Sequence, residues 1–234
     1  MNEAFVVKPA PLSCLSTTDG AFFPLRRIYC VARNYADHAL EMGHDPGREP
    51  PFFFQKNPQN LRSDGLFPYP RQSADVHHEV ELMVGLGIGG RDIPTDGALD
   101  HVWGYGVALD MTCRDLQAEA KKMGRPWVSA KSFEHSAPCS SIRSAAETRH
   151  PQKGAITLDV NGERRQTGDL GQQIWSVAEV ISLLSREFEL APGDVVLTGT
   201  PSGVGPVQVG DLLEAKIEGV GDLRVEVTAS SSPL

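Results

Sequence analysis

Residues 77–87 read His-His-Glu-Val-Glu-Leu-Met-Val-Gly-Leu-Gly (HHEVELMVGLG), and the alternation in this stretch decides how the rest of the chain is read. Side chains on a strand point to alternate faces, so His77, Glu79 and Glu81 share one side and Val80, Leu82 and Val84 the other. The apolar run continues through Met83, which predicts a buried strand. Two carboxylates on one side of a buried strand are costly unless a cation compensates them. A second stretch, VWGYGVALDM (102–111), predicts another strand that ends at Asp110. That places a third acid where a side chain leaves the sheet for a cleft.

Working outward, RRIYCVA (26–32) and the three-phenylalanine stretch PFFFQK (51–56) predict core strands. AITLDVNGERRQTG (155–168) predicts a hairpin turning at Asn161-Gly162. DVVLTGTPSGVGPV and DLLEAKIEGVGDLRVEV add strands separated by glycine turns, and VSAKSF (128–133) also reads as strand-like. Three short helices interrupt them. One spans NYADHALEMG (34–43), with Asn34 as N-cap and Gly43 at its end. A second opens on a Thr112/Asp115 capping box and closes at Gly124. A third opens on a Ser176/Glu179 box, with Val177, Val180, Ile181, Leu184 and Phe188 as its apolar stripe. Without regular strand–helix–strand alternation, the expectation is an α+β fold with a mixed β-sheet. Residues 1–25 form a lead-in of low periodicity, and 26–234 one domain.

Composition excludes several classes. The 234 residues are 40% hydrophobic and 22% charged, ordinary globular values, so disorder and fibrous repeats are out. Gly 23 and Pro 17 make about 17% of the chain against a usual ~12%, which favours many turns and short strands. The net charge of -8 repels phosphate backbones, so no nucleic-acid partner is expected. No 18-residue apolar run exists, so no membrane partner is expected either. The N-terminal stretch lacks the apolar core of a secretory signal, and Cys14, Cys30, Cys113 and Cys139 form no C-x-x-C pair. A cytoplasmic, reducing location follows as the expectation.

Several residues could carry chemistry. Glu79, Glu81 and Asp110 offer oxygen ligands without a thiolate, the donor set of Mg²⁺ or Mn²⁺, with Ca²⁺ possible. Taken alone, E-x-E on a strand also fits a solvated face. His77 and His78 suggest a zinc or iron site, but adjacent strand residues point apart. Gly85, Gly87 and Gly90 spell G-x-G-x-x-G, yet RDIPTDG follows where a dinucleotide fingerprint needs a helix, so that reading is rejected. His38 and Glu41 fall three apart on the first helix, as an imidazole and its orienting carboxylate would, or as a surface pair. Lys131 reads as a snorkelling side chain or a fixed cation in a cleft. The turn at Thr200 offers a hydroxyl and N–H groups to an anion, or is simply tight.

Taken together, ARNYADHALEMG, EPPFFFQK, HHEVELMVGLG, GYGVALDMTCRDLQAEAKKMGRPW, AKSFEHSAPC, VNGERRQTG and LTGTPSGVGPVQVGD resemble the fumarylacetoacetate hydrolase family, in order and over about residues 26–225. The likeness is greatest to its short acylpyruvate hydrolases. The resemblance implies a mixed β-roll with flanking helices, of the family's C-terminal-domain type, paired as a homodimer. It implies metal binding by Glu79, Glu81 and Asp110, and a His38–Glu41 base on a helix that behaves as a lid. It further implies a lysine beside the metal at Lys131, substrate contacts from Arg114 and Gln117, and Arg33 and Thr200 at the substrate's carboxylate end. Two departures are Ala32, where relatives have Gly, and KNPQNL (56–61), in place of a lysine-proline turn.

The implied activity is metal-dependent cleavage of a carbon–carbon bond in a 2,4-dioxo acid, giving pyruvate and a carboxylic acid, with fumarylpyruvate the first choice. Oxaloacetate decarboxylation through the same metal-enolate chemistry is the alternative enzyme. A non-enzymatic module holding structural Ca²⁺ is the alternative outside catalysis.

Overall fold

The computed structural model describes residues 5–36 and 50–230. The proposed helix over 34–43, with His38 and Glu41, lies almost wholly outside them. Two sheets organise the described chain. The larger has six strands in the order Arg143–Ser144, Val102–Leu109, Val80–Leu86, Asp194–Leu197, Arg27–Val31, Phe53–Lys56. Within it the Asp194–Leu197 and Arg27–Val31 pair is parallel and the others antiparallel. The second has five strands, Glu163–Asp169, Ala155–Val160, Leu212–Ile217, Gly221–Thr228 and Leu66–Pro68, with only the last pair parallel. This is the mixed-sheet α+β fold expected.

Alternation sorts the large sheet's side chains into two cores. Leu82, Val84, Tyr29 and Val31 face the second sheet's Leu158, Leu213 and Val225 and the helix Val177–Glu187. Met83, Ile28, Cys30, Ala108 and Leu197 face the other way, where Leu15, Phe23 and Leu25 cover them. Leu15 and Phe23 come from a small hairpin, Cys14–Ser16 with Phe22–Pro24. Thus part of the low-periodicity lead-in seals one face of the sheet, and the Val80–Leu86 strand is buried on both sides.

Local signals held where the chain needed no distant partner. Asn161 and Gly162 both take positive φ, 53° and 80°, as a two-residue type I′ turn requires. Ser176 and Glu179 form the reciprocal capping box, and Gly124 closes the helix Arg114–Met123 in the left-handed region. Three expectations need correction. Thr112 and Asp115 form no box: Thr112 pairs with His77 in a short ladder, and Asp115 instead accepts from the Ser73 hydroxyl and the Ala74 N–H. VSAKSF is not a strand, because Val128–Lys131 makes a helical turn whose terminal carbonyl accepts from Lys56 Nζ. PFFFQK is an edge strand instead of a central one: Phe53 and Phe54 are partly buried against the two cores, and Phe52 is exposed beside Trp127.

Cys30, Cys113 and Cys139 are buried and Cys14 is exposed. Burial pushes the thiols of Cys113 and Cys139 up to about 11 and about 12. Thiolate, not thiol, reacts. One equivalent of thiol should therefore titrate with a disulfide reagent in the native protein at about pH 8. All four cysteines should titrate in denaturant. Rapid reaction of more than one in the native state contradicts the packing described.

Candidate active site

The site starts from strand register. Val80–Leu86 and Val102–Leu109 run antiparallel with Val80 opposite Leu109 and Glu81 opposite Ala108. Glu79 and Asp110 are the next residues along, joined by the Asp110 N–H to the Glu79 carbonyl at 2.8 Å. Directly opposed residues share a face. Glu79, Glu81 and Asp110 therefore converge, and Ala108 leaves room beside them. One carboxylate oxygen from each lies within 4.8 Å of the others, and all three residues are buried.

Cations meet this cluster unevenly. Lys131 Nζ donates to Glu79 Oε2 and Asp110 Oδ2, both at 2.7 Å. Burial works against its charge, but the carboxylates of Asp110 and Glu79 outweigh burial and raise its pKa above the usual lysine range. Arg114 donates to Glu79 Oε1 at 2.6 Å and to Gln117 Oε1 at 2.7 Å. Lys56, 2% exposed, sits 2.8 Å from Asp110 Oδ1 and donates to the Met111 carbonyl.

Glu81 differs. Its Oε2 accepts the Gly199 N–H at 2.7 Å, and among the described residues no cation forms an ion pair with it. Burial first, then the carboxylates of Asp110 and Glu79, push its pKa well up. An all-oxygen set of three buried acids, one without an ion-pair cation among the described residues, fits a hard divalent ion.

Of the other expected residues, Arg33, Gln117 and Thr200 line the same cleft, while His38 and Glu41 lie outside the described residues. Arg33, Gln117, Lys121, Gly199 and Thr200 border it, with Phe54 and Trp127 as an apolar wall. Arg33 holds a left-handed φ of 57°, a strained conformation for a side-chain-bearing residue, and its guanidinium lies over Phe52. Gly199 has φ of 95°, and a Cβ there would come 2.7 Å from the Asn34 Cβ, so no other residue can present its N–H to Glu81. His77 bonds Asp75 and His78 bonds Gln166, so neither histidine joins the acid cluster.

The fumarylacetoacetate (FAA) hydrolase C-terminal family model matches residues 27–228. The chain belongs to this family. It is 47% identical to fumarylpyruvate hydrolase from Pseudomonas aeruginosa, solved in complex with Mn²⁺ and pyruvate, with a TM-score of 0.94 over 97% of this chain and 100% of that one. It is 42% identical to the mitochondrial oxaloacetate tautomerase of Arabidopsis thaliana over 89% of this chain and 93% of the relative. It is 43% identical to an oxaloacetate tautomerase of Escherichia coli (strain K12) over 84% and 90%.

Two residues of this family member's site escaped sequence reasoning. Lys56 follows the phenylalanine run, and the KNPQNL turn fixes it: Asn60 is buried, accepts the Asn57 N–H and donates to the Phe133 carbonyl. Nothing local marks Lys56 as buried. Gln166, in the hairpin strand Glu163–Asp169, is fully buried although both neighbours in sequence are exposed. A polar residue at that position gives no signal without the fold.

The Glu81 shift has a sign. A carboxyl raised in the folded state contributes stability that is fully present below its unfolded value of about 4.5 and is lost as pH rises through the folded value. The metal-free protein should therefore lose stability as pH rises above about 4.5, and Glu81→Gln should flatten that slope. At neutral pH the metal-free variant should gain on the order of 1 kcal/mol, a few degrees in Tm, while losing the Tm increase Mn²⁺ gives the parent. A Glu81→Gln protein that is less stable without metal and still stabilised by Mn²⁺ contradicts this account. Thermal scans across pH, with and without metal, decide it.

Proposed function

We propose that the chain is a metal-dependent hydrolase that cleaves an acylpyruvate, fumarylpyruvate in the first instance, to pyruvate and a carboxylic acid. The observation that carries this reading is the charge balance of the cleft. Three cations, Lys56, Lys131 and Arg114, pair with two of the three carboxylates, Glu79 and Asp110. A divalent ion on those carboxylates leaves the cleft net positive, and Arg33 and Lys121 at its border add to that. Such a cleft suits a dianion: a pyruvyl carboxylate at one end and an acyl group ending in a second carboxylate at the other. The structural likeness to an enzyme solved with Mn²⁺ and pyruvate supports the same reading.

Glu79, Glu81 and Asp110 would hold the ion, which when bound supplies a Lewis acid for enolate-type charge. Lys131, fixed by two carboxylates, stays protonated and stabilises negative charge developing on the substrate oxygen nearest it. Arg33 and Thr200 take the pyruvyl carboxylate, and Arg114 with Gln117 orients the chain between the two oxo groups. His38, with Glu41 orienting it, removes a proton from the water that adds to the 4-oxo carbon. The bond from that carbon to C3 then breaks, its electron pair stays on C3, and a proton there completes pyruvate. These last roles rest on the resemblance, because His38 and Glu41 lie outside the described residues.

The relatives named oxaloacetate tautomerase favour a second reading, in which the same cleft takes oxaloacetate and moves a proton between C3 and the 2-oxo oxygen without bond cleavage. A panel separates them. With Mg²⁺ or Mn²⁺, pyruvate release from fumarylpyruvate should exceed that from acetylpyruvate, which lacks the second carboxylate. His38→Ala should lower kcat on the dioxo acids by about 10²–10⁴-fold. Rapid keto–enol interconversion of oxaloacetate, with no pyruvate from any dioxo acid, would put the second reading first. Unfolding by EDTA with no turnover of any panel member would support the calcium module instead.

A further inference from the structure

Gln166 is 0% exposed and its side-chain amide makes four hydrogen bonds, all to the site's own framework. Its Oε1 accepts from the Val80 N–H at 3.1 Å and lies 2.9 Å from His78 Nδ1. Its Nε2 donates to Thr200 Oγ1 at 2.8 Å and to the Pro201 carbonyl at 2.9 Å. Val80 is the residue between the two strand acids, and Thr200 borders the cleft. One amide therefore joins the acid-bearing strand to the turn across from it, from a third element in another sheet.

The orientation of this amide is dictated by its partners. Turning it over would set its NH₂ against the Val80 N–H and its oxygen against the Pro201 carbonyl, losing both of those bonds, because neither partner can change its role. Nε2 must then be the donor to Thr200, and Thr200 Oγ1 the acceptor. A hydroxyl that accepts on its oxygen keeps its own proton for another partner. Among the described residues the Thr200 hydroxyl makes no hydrogen bond as a donor, and Thr200 is 3% exposed on the cleft wall. A carboxylate oxygen in the cleft would complete the set.

We propose that Gln166 is a positioning residue: by donating to Thr200 Oγ1 while gripping the Val80 N–H, it aims the Thr200 hydroxyl proton at an anionic oxygen of the ligand. The inference rests on the functional reading above, in which Thr200 meets the substrate's carboxylate. It assigns to Gln166 a role in binding that acts through Thr200 and leaves the chemical step alone.

Gln166→Glu tests it, because a carboxylate can accept from Val80 but cannot donate, so Thr200 would turn its proton back onto residue 166. Pyruvate binding to the Mn²⁺-loaded protein, followed by calorimetry, should weaken about tenfold, while Mn²⁺ affinity stays within about threefold. In turnover, KM for the dioxo acid should rise about tenfold with kcat little changed. Thr200→Val should weaken pyruvate binding by a similar factor, and adding Gln166→Glu to it should cost little more, since one interaction cannot be lost twice. If Gln166→Glu does not fold, Gln166→Met removes the same donor without a buried charge and carries the same expectations. Unchanged pyruvate affinity in a folded Gln166 variant, additive losses in the double variant, or a fall in kcat with KM unchanged would overturn the inference. A parent protein that binds no pyruvate with Mn²⁺ and turns over no dioxo acid would overturn the functional reading, and the inference with it.

Discussion

The register between two antiparallel strands is the constraint on which the rest of this protein depends. Opposing Val80 to Leu109 puts Glu79 across from Asp110 and carries Glu81 onto the same face. A slip of one residue would turn both glutamates to the other side of the sheet, into the core formed with the second sheet. Three buried carboxylates so close together repel one another strongly. The surrounding structure is arranged to tolerate that repulsion: Lys131 spans Glu79 and Asp110, Arg114 closes on Glu79, and Lys56 approaches Asp110.

Glu81 stands apart within that arrangement. Its neighbours each contact an ammonium or guanidinium, while it has a backbone N–H from a glycine that no other residue could replace. The imbalance leaves a place for added positive charge. Lys56 also changes the charge count, since it is a third cation beside the three acids.

The fold positions these groups by borrowing from distant segments. Lys56 comes from an edge strand, Lys131 from a single helical turn, Gly199 and Thr200 from the turn after a central strand, and Gln166 from the second sheet. Lys56 and Lys131 illustrate the coupling, since the ammonium of the first caps the turn that presents the second. Local patterns could not anticipate this. VSAKSF alternates well enough for a strand, yet its backbone closes a helical turn onto Trp127 and Val128, and Lys56 takes up the Lys131 carbonyl. The Thr112/Asp115 box fails for a related reason: Ser73 and Ala74, some forty residues away, claim the aspartate that would have capped its own helix.

What the sequence determined by itself is the set of features whose physics is local. The Asn161-Gly162 turn, the Ser176/Glu179 box, the Gly124 terminus and the two-sided alternation around Val80 depend on dihedral preference and neighbours a few residues away. The three acids were legible because charge inside an apolar strand is anomalous wherever the strand lies, and the ordered motifs tied them to a family. The tertiary structure alone decided that the N-terminal hairpin would seal the far face of the sheet, that Lys56 would be buried, and that Gln166 would span two sheets. Those outcomes depend on which distant surfaces meet, and a buried lysine or glutamine looks in sequence like any solvated one until its partners are brought to it.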